Sequence, residues 1–190
     1  ALAVAPSLAV LTPSVSSIQA LLGMATFLQG TPIPRSYSLL VATAIRLGHS
    51  LGLHRQESYS GMPCPEVEQR RRVFWLGYIL DKDIGMRSGQ PSIQHDDDID
   101  VELPSESAKD GIGYIFLSQG LWPMNFLHLR IQLAIIQGAI SKDLYSARAM
   151  KQPSEIRKAK IEELDQRLKQ WKNSTSLEFI PCFLTKMVEE

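Results

Sequence analysis

The chain has 190 residues, enough for one domain with a sizeable core, and its 44% hydrophobic and 21% charged content is ordinary for a globular protein. Twenty Lys and Arg balance twenty Asp and Glu, for a formal net charge of +0; a module that binds nucleic acid on its own is usually basic, so this composition argues against direct DNA binding. No run approaches the roughly 18 apolar residues of a membrane span, and Cys64 and Cys182 lie too far apart to suggest a metal-ligand spacing or a disulfide framework.

Residues 1–11 are apolar but have no basic leading region and contain Pro6, which does not make a signal peptide. Pro13 and the serines Ser14, Ser16 and Ser17 read as a helix start. Ile18, Leu21, Leu22, Ala25 and Leu28 recur at helical spacing until Gly30 stops the run. Residues 31–35 hold two prolines and read as a loop. Ser36 then caps a second helix, with Leu40, Ala44, Leu47, Gly48 and Leu51 on one face and Gly52 as its C-terminal stop. Ala44 and Gly48 are small enough for a neighbouring helix to approach closely. No second copy of this helix pair follows, so a solenoid of repeats is not expected.

Residues 59–65 read as a loop, punctuated by Gly61, Pro63 and Pro65. The stretch 68–104 organises the rest. Glu66 and Glu68 favour the positive end of a helix, and Arg70, Arg71 and Arg72 follow in its early turns. From Val73 to Leu80 almost every side chain is apolar, and no turn residue interrupts residues 66–84. A helix apolar all round is buried on most faces, so this one is expected at the centre. The arginines read as a solvated face with some interhelical pairing, the sharper alternative being a basic patch for a partner. Asp81 interrupts the run. A buried carboxylate needs a partner, and ten residues of helix span about 15 Å, which puts Arg71 out of reach. The expected partner is a cation from outside the helix: Arg46, Arg55 or Arg87.

Gly89 and Pro91 break the pattern, and His95–Asp96–Asp97–Asp98 with Asp100 makes an acidic loop. The spacing lacks the glycine turn and closing Glu of a calcium loop, so a solvated loop that caps helices and pairs with arginines is the better reading. Asp110 is placed to cap the next helix. Residues 112–147 are largely apolar and read as helical, kinked or split at Pro123. Leu127, Ile131, Ala134, Ile135, Gly138 and Leu144 supply a stripe, with His128 as a core histidine. Ser154 caps a last helix whose Ile161, Leu164, Leu168 and Trp171 form an apolar face opposite Lys158, Glu162 and Lys169. The expected class is all-α: a multi-helix bundle or layered helical domain around a central buried helix, as a single domain over 1–190.

Three stretches together resemble a known family. Residues 71–104, with Arg71, Arg72, Phe74, Trp75, Asp81, Gly89, Pro91, Asp98 and Pro104, resemble the middle homology region of fungal zinc-cluster transcription factors, the fungal-specific transcription factor domain. Upstream, residues 44–55 end in the Gly-Leu-His-Arg that commonly closes that family's preceding helix. Downstream, residues 161–174 look like its later leucine-and-tryptophan helix. Gln90 stands where many members carry Arg. The resemblance implies a regulatory domain of a nuclear protein, acting through other domains of the same protein, a coregulator protein or a small-molecule effector. It implies no cofactor in this segment: zinc is expected in an N-terminal DNA-binding domain that the segment lacks. A free-standing α-helical small-molecule-binding or protein-interaction domain is the alternative. Trp75, Tyr78, Met86, Trp122, Met124 and Phe126 are the candidates to line a ligand pocket or the core. An enzyme is not expected, because His49, His54, His95 and His128 fall in no nucleophile or zinc pattern and residues 85–89 lack the lysine of a phosphate-binding loop. Neither a membrane nor nucleic acid is an expected partner of this segment.

Overall fold

A computed structural model describes residues 13–29, 34–107, 110–116 and 123–174. Residues 1–11, Trp122 and Cys182 therefore lie outside the described residues. The chain groups into two compact units, one up to Ser105 and one from Glu106. The expected all-α class holds: five α-helices carry the described fold, and one two-stranded sheet accompanies them.

The first unit contains α1 (Val15–Leu28), α2 (Pro34–Ser50) and α3 (Cys64–Ser88). Ser14 caps α1 by accepting from the Ser17 N–H at 3.1 Å. Ile18, Leu21, Leu22, Ala25 and Leu28 form its buried face, as the spacing required. The second helix starts at Pro34 rather than after Ser36, since proline has no N–H to lose in a first turn. It ends as glycine endings usually do. Gly52 sits at φ +71°, its N–H donates to the His49 carbonyl at 3.0 Å, and Leu53 N–H donates to the Gly48 carbonyl at 3.0 Å. A Cβ at Gly52 would come within 2.2 Å of Ser58 Oγ.

The long α3 packs against both α1 and α2. Val73, Phe74, Trp75, Tyr78, Ile79 and Leu80 are all buried, as expected of a helix apolar on every side. Gly77 faces both neighbouring helices: a Cβ there would stand 3.8 Å from Ile45 and 3.9 Å from Leu22. Gly89, at φ 68°, ends α3 with its N–H on the Gly85 carbonyl.

The second unit corrects one expectation. Among the described residues of 112–125, Tyr114–Phe116 and Pro123–Asn125 are strands rather than helix. Tyr114–Phe116 (β1) pairs antiparallel with Pro123–Asn125 (β2), Ile115 opposite Met124, and α4 (Phe126–Ile140) starts only after Asn125 caps it, accepting from His128 N–H at 2.9 Å. Pro123 thus marks a strand rather than a helix kink, a position it tolerates in a short edge strand. Asp110 accepts from Ile112 N–H at 3.0 Å and so shapes a turn instead of capping a helix. A π-helical turn, Ser141–Tyr145, leads through a short 3₁₀ turn to α5 (Ser154–Ser174). α5 packs on α4, with Leu164 buried and Trp171 donating its indole N–H to the Leu129 carbonyl at 3.0 Å. Ile161 and Leu168, expected on the covered stripe, are 50% and 39% exposed.

Candidate functional site

After α3 ends, residues 92–105 turn back and run along it as an irregular strap. Side chains of α3 grip the strap in order. Asp81 comes first, only 2% exposed. Its carboxylate accepts from the backbone N–H of Ile93 at 3.0 Å and of Gln94 at 3.0 Å, and from the Ser92 hydroxyl. This replaces the expected guanidinium partner: two main-chain amides and a hydroxyl satisfy the buried charge. Lys82, 4% exposed, holds the same turn from its other side, donating to the Gln94 carbonyl at 2.9 Å and to Ser92 Oγ at 3.0 Å. It also pairs with Asp96 at 3.0 Å and lies 4.7 Å from the centre of the Tyr78 ring.

Further along, Tyr78 donates its hydroxyl to Asp96 at 2.8 Å. Burial and that neighbouring carboxylate push the Tyr78 phenol far above its ordinary range. Trp75 donates its indole N–H to the Glu102 carbonyl at 3.0 Å, and Arg71 pairs with the Glu102 carboxylate. Glu68 takes the strap's last N–H, from Ser105, at 3.0 Å. The turn before α3 joins in. Gln56 N–H donates to Asp100 at 2.8 Å, Glu102 N–H donates to Gln56 Oε1 at 3.2 Å, and Asp100 N–H donates to the His54 carbonyl at 3.2 Å. Tyr59, buried beneath, donates its hydroxyl to the Leu53 carbonyl at 2.7 Å, and burial raises its pKa to about 12.

The three arginines are neither a solvated face nor an open basic patch. Arg70 pairs with Glu66 at 3.1 Å and Arg72 with Glu68 at 3.2 Å, each one helical turn away, and the three side chains are only 13–18% exposed. The acidic loop, expected to meet arginines, gives Asp96 to a lysine instead, while Asp98 is exposed. Among the described residues, no three His, Cys, Asp or Glu side chains gather as metal ligands would.

Of the six candidate pocket or core residues, Trp75, Tyr78 and Met86 belong to the first unit, and Trp122 lies outside the described residues. Trp75 and Tyr78 are buried with ring centres 5.0 Å apart and are engaged by the strap. Met86 is 43% exposed. Met124 and Phe126 belong to the second unit. The cavity described in the first unit lies elsewhere, between Ile18, Leu22, Gly48, Phe74, Gly77 and Gln94, and holds about 10 Å³, room for no more than a water molecule.

Lys82 and Gln94 carry no site motif in the sequence, and His49 is weighed there only as a catalytic or zinc residue. Gln94 is 2% exposed, its backbone gripped by Asp81 and Lys82. Its side chain lies beside the His49 ring and favours a positive charge there, while its Nε2 has no hydrogen-bond partner. His49 and His54 rings stand 4.7 Å apart, tilted by 56°. In the alternating DKD of residues 81–83, a lysine between two aspartates resembles surface sequence. The one available signal was that it continues a helix with no polar face.

The family model of the fungal specific transcription factor domain matches residues 2–173. An ABC-transporter-regulating transcription factor of Aspergillus oryzae is 51% identical over 165 residues, covering 87% of this chain and 18% of the relative. One of the same name from Aspergillus fumigatus matches to the same extent. The fusaridione A cluster transcription factor fsdR of Fusarium heterosporum is 35% identical, over 88% of this chain and 30% of its own length. The chain thus spans under a third of the length of these curated relatives, and no solved structure matches it. On the family match and these identities, the chain belongs to the fungal specific transcription factor domain family.

Proposed function

We propose that the chain is the regulatory domain of a fungal zinc-cluster transcription factor, acting in the nucleus and governing transcription without touching DNA itself. Its relatives are transcription regulators, and that role is common ground. The observation that carries the finer reading is the fate of the three arginines. Glu66, Glu68 and Glu102 engage them, and the chain as a whole has no excess of positive charge. Phosphate contacts supply most non-specific DNA affinity through counterion release, and paired guanidiniums in a neutral module have little to offer there. A zinc cluster elsewhere in the full-length protein is the proposed DNA reader, with residues 1–190 one regulatory domain.

Control then runs through contacts with other domains, a coregulator or a small effector. The described cavity in the first unit is far below the several hundred Å³ of an ordinary ligand pocket, which favours surface contacts over a ligand held at that point. The test has two arms. The isolated segment is titrated with duplex DNA at physiological salt, and the full-length protein is assayed on a reporter with residues 13–174 replaced by a flexible linker. The expected result is no binding above a neutral control protein, with altered reporter output at unchanged promoter affinity. Nanomolar duplex binding by the segment, or unaltered output after replacement, would defeat the reading.

A further inference from the structure

The contact between the end of α2 and the strap passes through two imidazoles that the regulatory reading does not use. His49 lies in the last turn of α2, and His54 follows Leu53 in the turn beyond Gly52. Their rings are 4.7 Å apart between centres. Each one meets the strap. His49 meets it through the Gln94 side chain, and His54 through its backbone carbonyl, which accepts from Asp100 N–H at 3.2 Å. His54 Nδ1 is buried and has no hydrogen-bond partner. Such an arrangement suits a neutral His49. A proton on it places a cation against the His54 ring in a partly desolvated position.

We propose that His49 and His54 form an acid-responsive catch, which holds the strap at Asp100 at neutral pH and lets go of it when His49 takes up a proton. The groups that face His49 decide which side yields. From its own helix comes Arg46, and from the turn beyond comes His54; both oppose a positive charge on the ring. From α3 comes Asp81, and from the strap Gln94; both favour it. Helix α1, also packed on α2, contributes no titratable side chain. Burial is the largest influence and holds His49 below its ordinary 6.5. Asp81 is tied to the Ile93 and Gln94 amides, so the Gln94 contact survives protonation and even strengthens. The repelled neighbour is His54. It sits on a short turn with a free ring nitrogen and gains solvation by swinging outward. That movement takes along the carbonyl that Asp100 N–H uses, and with it the adjoining bond from Gln56 N–H to the Asp100 carboxylate.

Hydrogen exchange and imidazole titration by NMR on the unmodified 190-residue chain test this directly. Between about pH 7.5 and pH 5.5, where histidine is the side chain that titrates, the Asp100 and Gln56 amides are expected to lose about tenfold protection after correction for intrinsic exchange, about 1.4 kcal/mol of opening. The Gln94 and Ile93 amides are expected to keep theirs. The His49 titration should move upward in His54→Asn, because His54 opposes a positive charge on that ring. His54→Asn should abolish the acid response, and His95→Asn, at an exposed position outside the pair, should leave it intact. Constant Asp100 protection across the range overturns the proposal. So does an acid response that persists in His54→Asn, or one in which Gln94 and Asp100 loosen together.

Discussion

Asp81 and Lys82 are consecutive residues of opposite charge, and both are buried because one turn of backbone lies between their heads. The carboxylate takes the N–H groups and the ammonium takes the carbonyl. Asp81→Ala strands two buried N–H donors and leaves Lys82 with an altered balance of charge, a loss of about 3–5 kcal/mol. Asp98, though part of the same sequence motif, is exposed, and Asp98→Ala should move stability by less than about 0.5 kcal/mol. Chemical denaturation of the two variants separates them; equal midpoints would remove Asp81 from its place as the strap's anchor. His49 adds a pH dependence. Burial first, then His54 and Arg46, hold its folded-state pKa below the ordinary 6.5. The unfolded chain therefore takes up a proton that the folded chain resists. The stability linked to His49 is complete above pH 6.5 and is lost as pH falls through the depressed folded value. His49→Gln should flatten the fall in urea midpoint between neutral and mildly acidic pH. That Asp81 needed a partner was legible in the sequence, since an apolar run surrounds it. Which partner was not legible. A search for guanidinium groups matches charge with charge, while the donors that arrived were main-chain amides of a turn, which carry no mark in the sequence.

Among the elements, helical spacing placed α1 and α2, and an unbroken apolar run placed α3, because each buries a wide apolar face. The β1–β2 pair was invisible for the opposite reason. Strands of three residues are too short for alternation to register, and their pairing depends on the chain folding back rather than on local preference. Two glycines separate the kinds of information a helix can hide. Gly77 lies inside α3 at a point where a Cβ would meet neighbours at ordinary contact distance, 3.8–3.9 Å. Gly77→Ala should therefore raise stability by about 0.5–1 kcal/mol through backbone entropy. Gly52 combines φ +71° with a Cβ position 2.2 Å from Ser58 Oγ. Gly52→Ala should destabilise by more than about 1 kcal/mol. Thermal melts of the pair read the contrast; a loss at Gly77 would mean that Ile45 and Leu22 do not yield.

At the scale of the whole molecule, contacts group the chain into two compact units, one up to Ser105 and one from Glu106, while the sequence leads one to expect a single domain over 1–190. Boundaries are commonly marked by proline, glycine or polar linkers. Here residues 105–113 are polar, yet Glu68 holds Ser105 and, in the second unit, His128 lies 3.2 Å from Glu106. No long spacer betrays the change. Native-state exchange at rising denaturant should sort the amides of 13–105 and of 106–174 into two groups with separate opening energies. One shared opening would mean a single cooperative body. The balanced charge that argued against DNA contact belongs to this scale too, and is mirrored locally in the pairing of Arg70, Arg71 and Arg72.

Residues 92–105 are secured largely through their main chain: Ile93, Gln94, Asp100, Glu102 and Ser105 each give a backbone N–H, and Gln94 and Glu102 each give a carbonyl. A tether recognised by its peptide groups is measured by length more than by spelling. Its anchors at Asp81 and Glu68 stand about 20 Å apart along the helix, and the intervening chain fits that gauge with a short 3₁₀ turn at Asp96–Asp98 taking up the slack. Letters at its exposed positions are free to drift so long as the count is kept. One residue inserted between Ile99 and Val101 would put every later amide out of step with its receptor. That insertion is expected to cost more stability than any single replacement within the tether, a ranking that a melting series across the segment would decide.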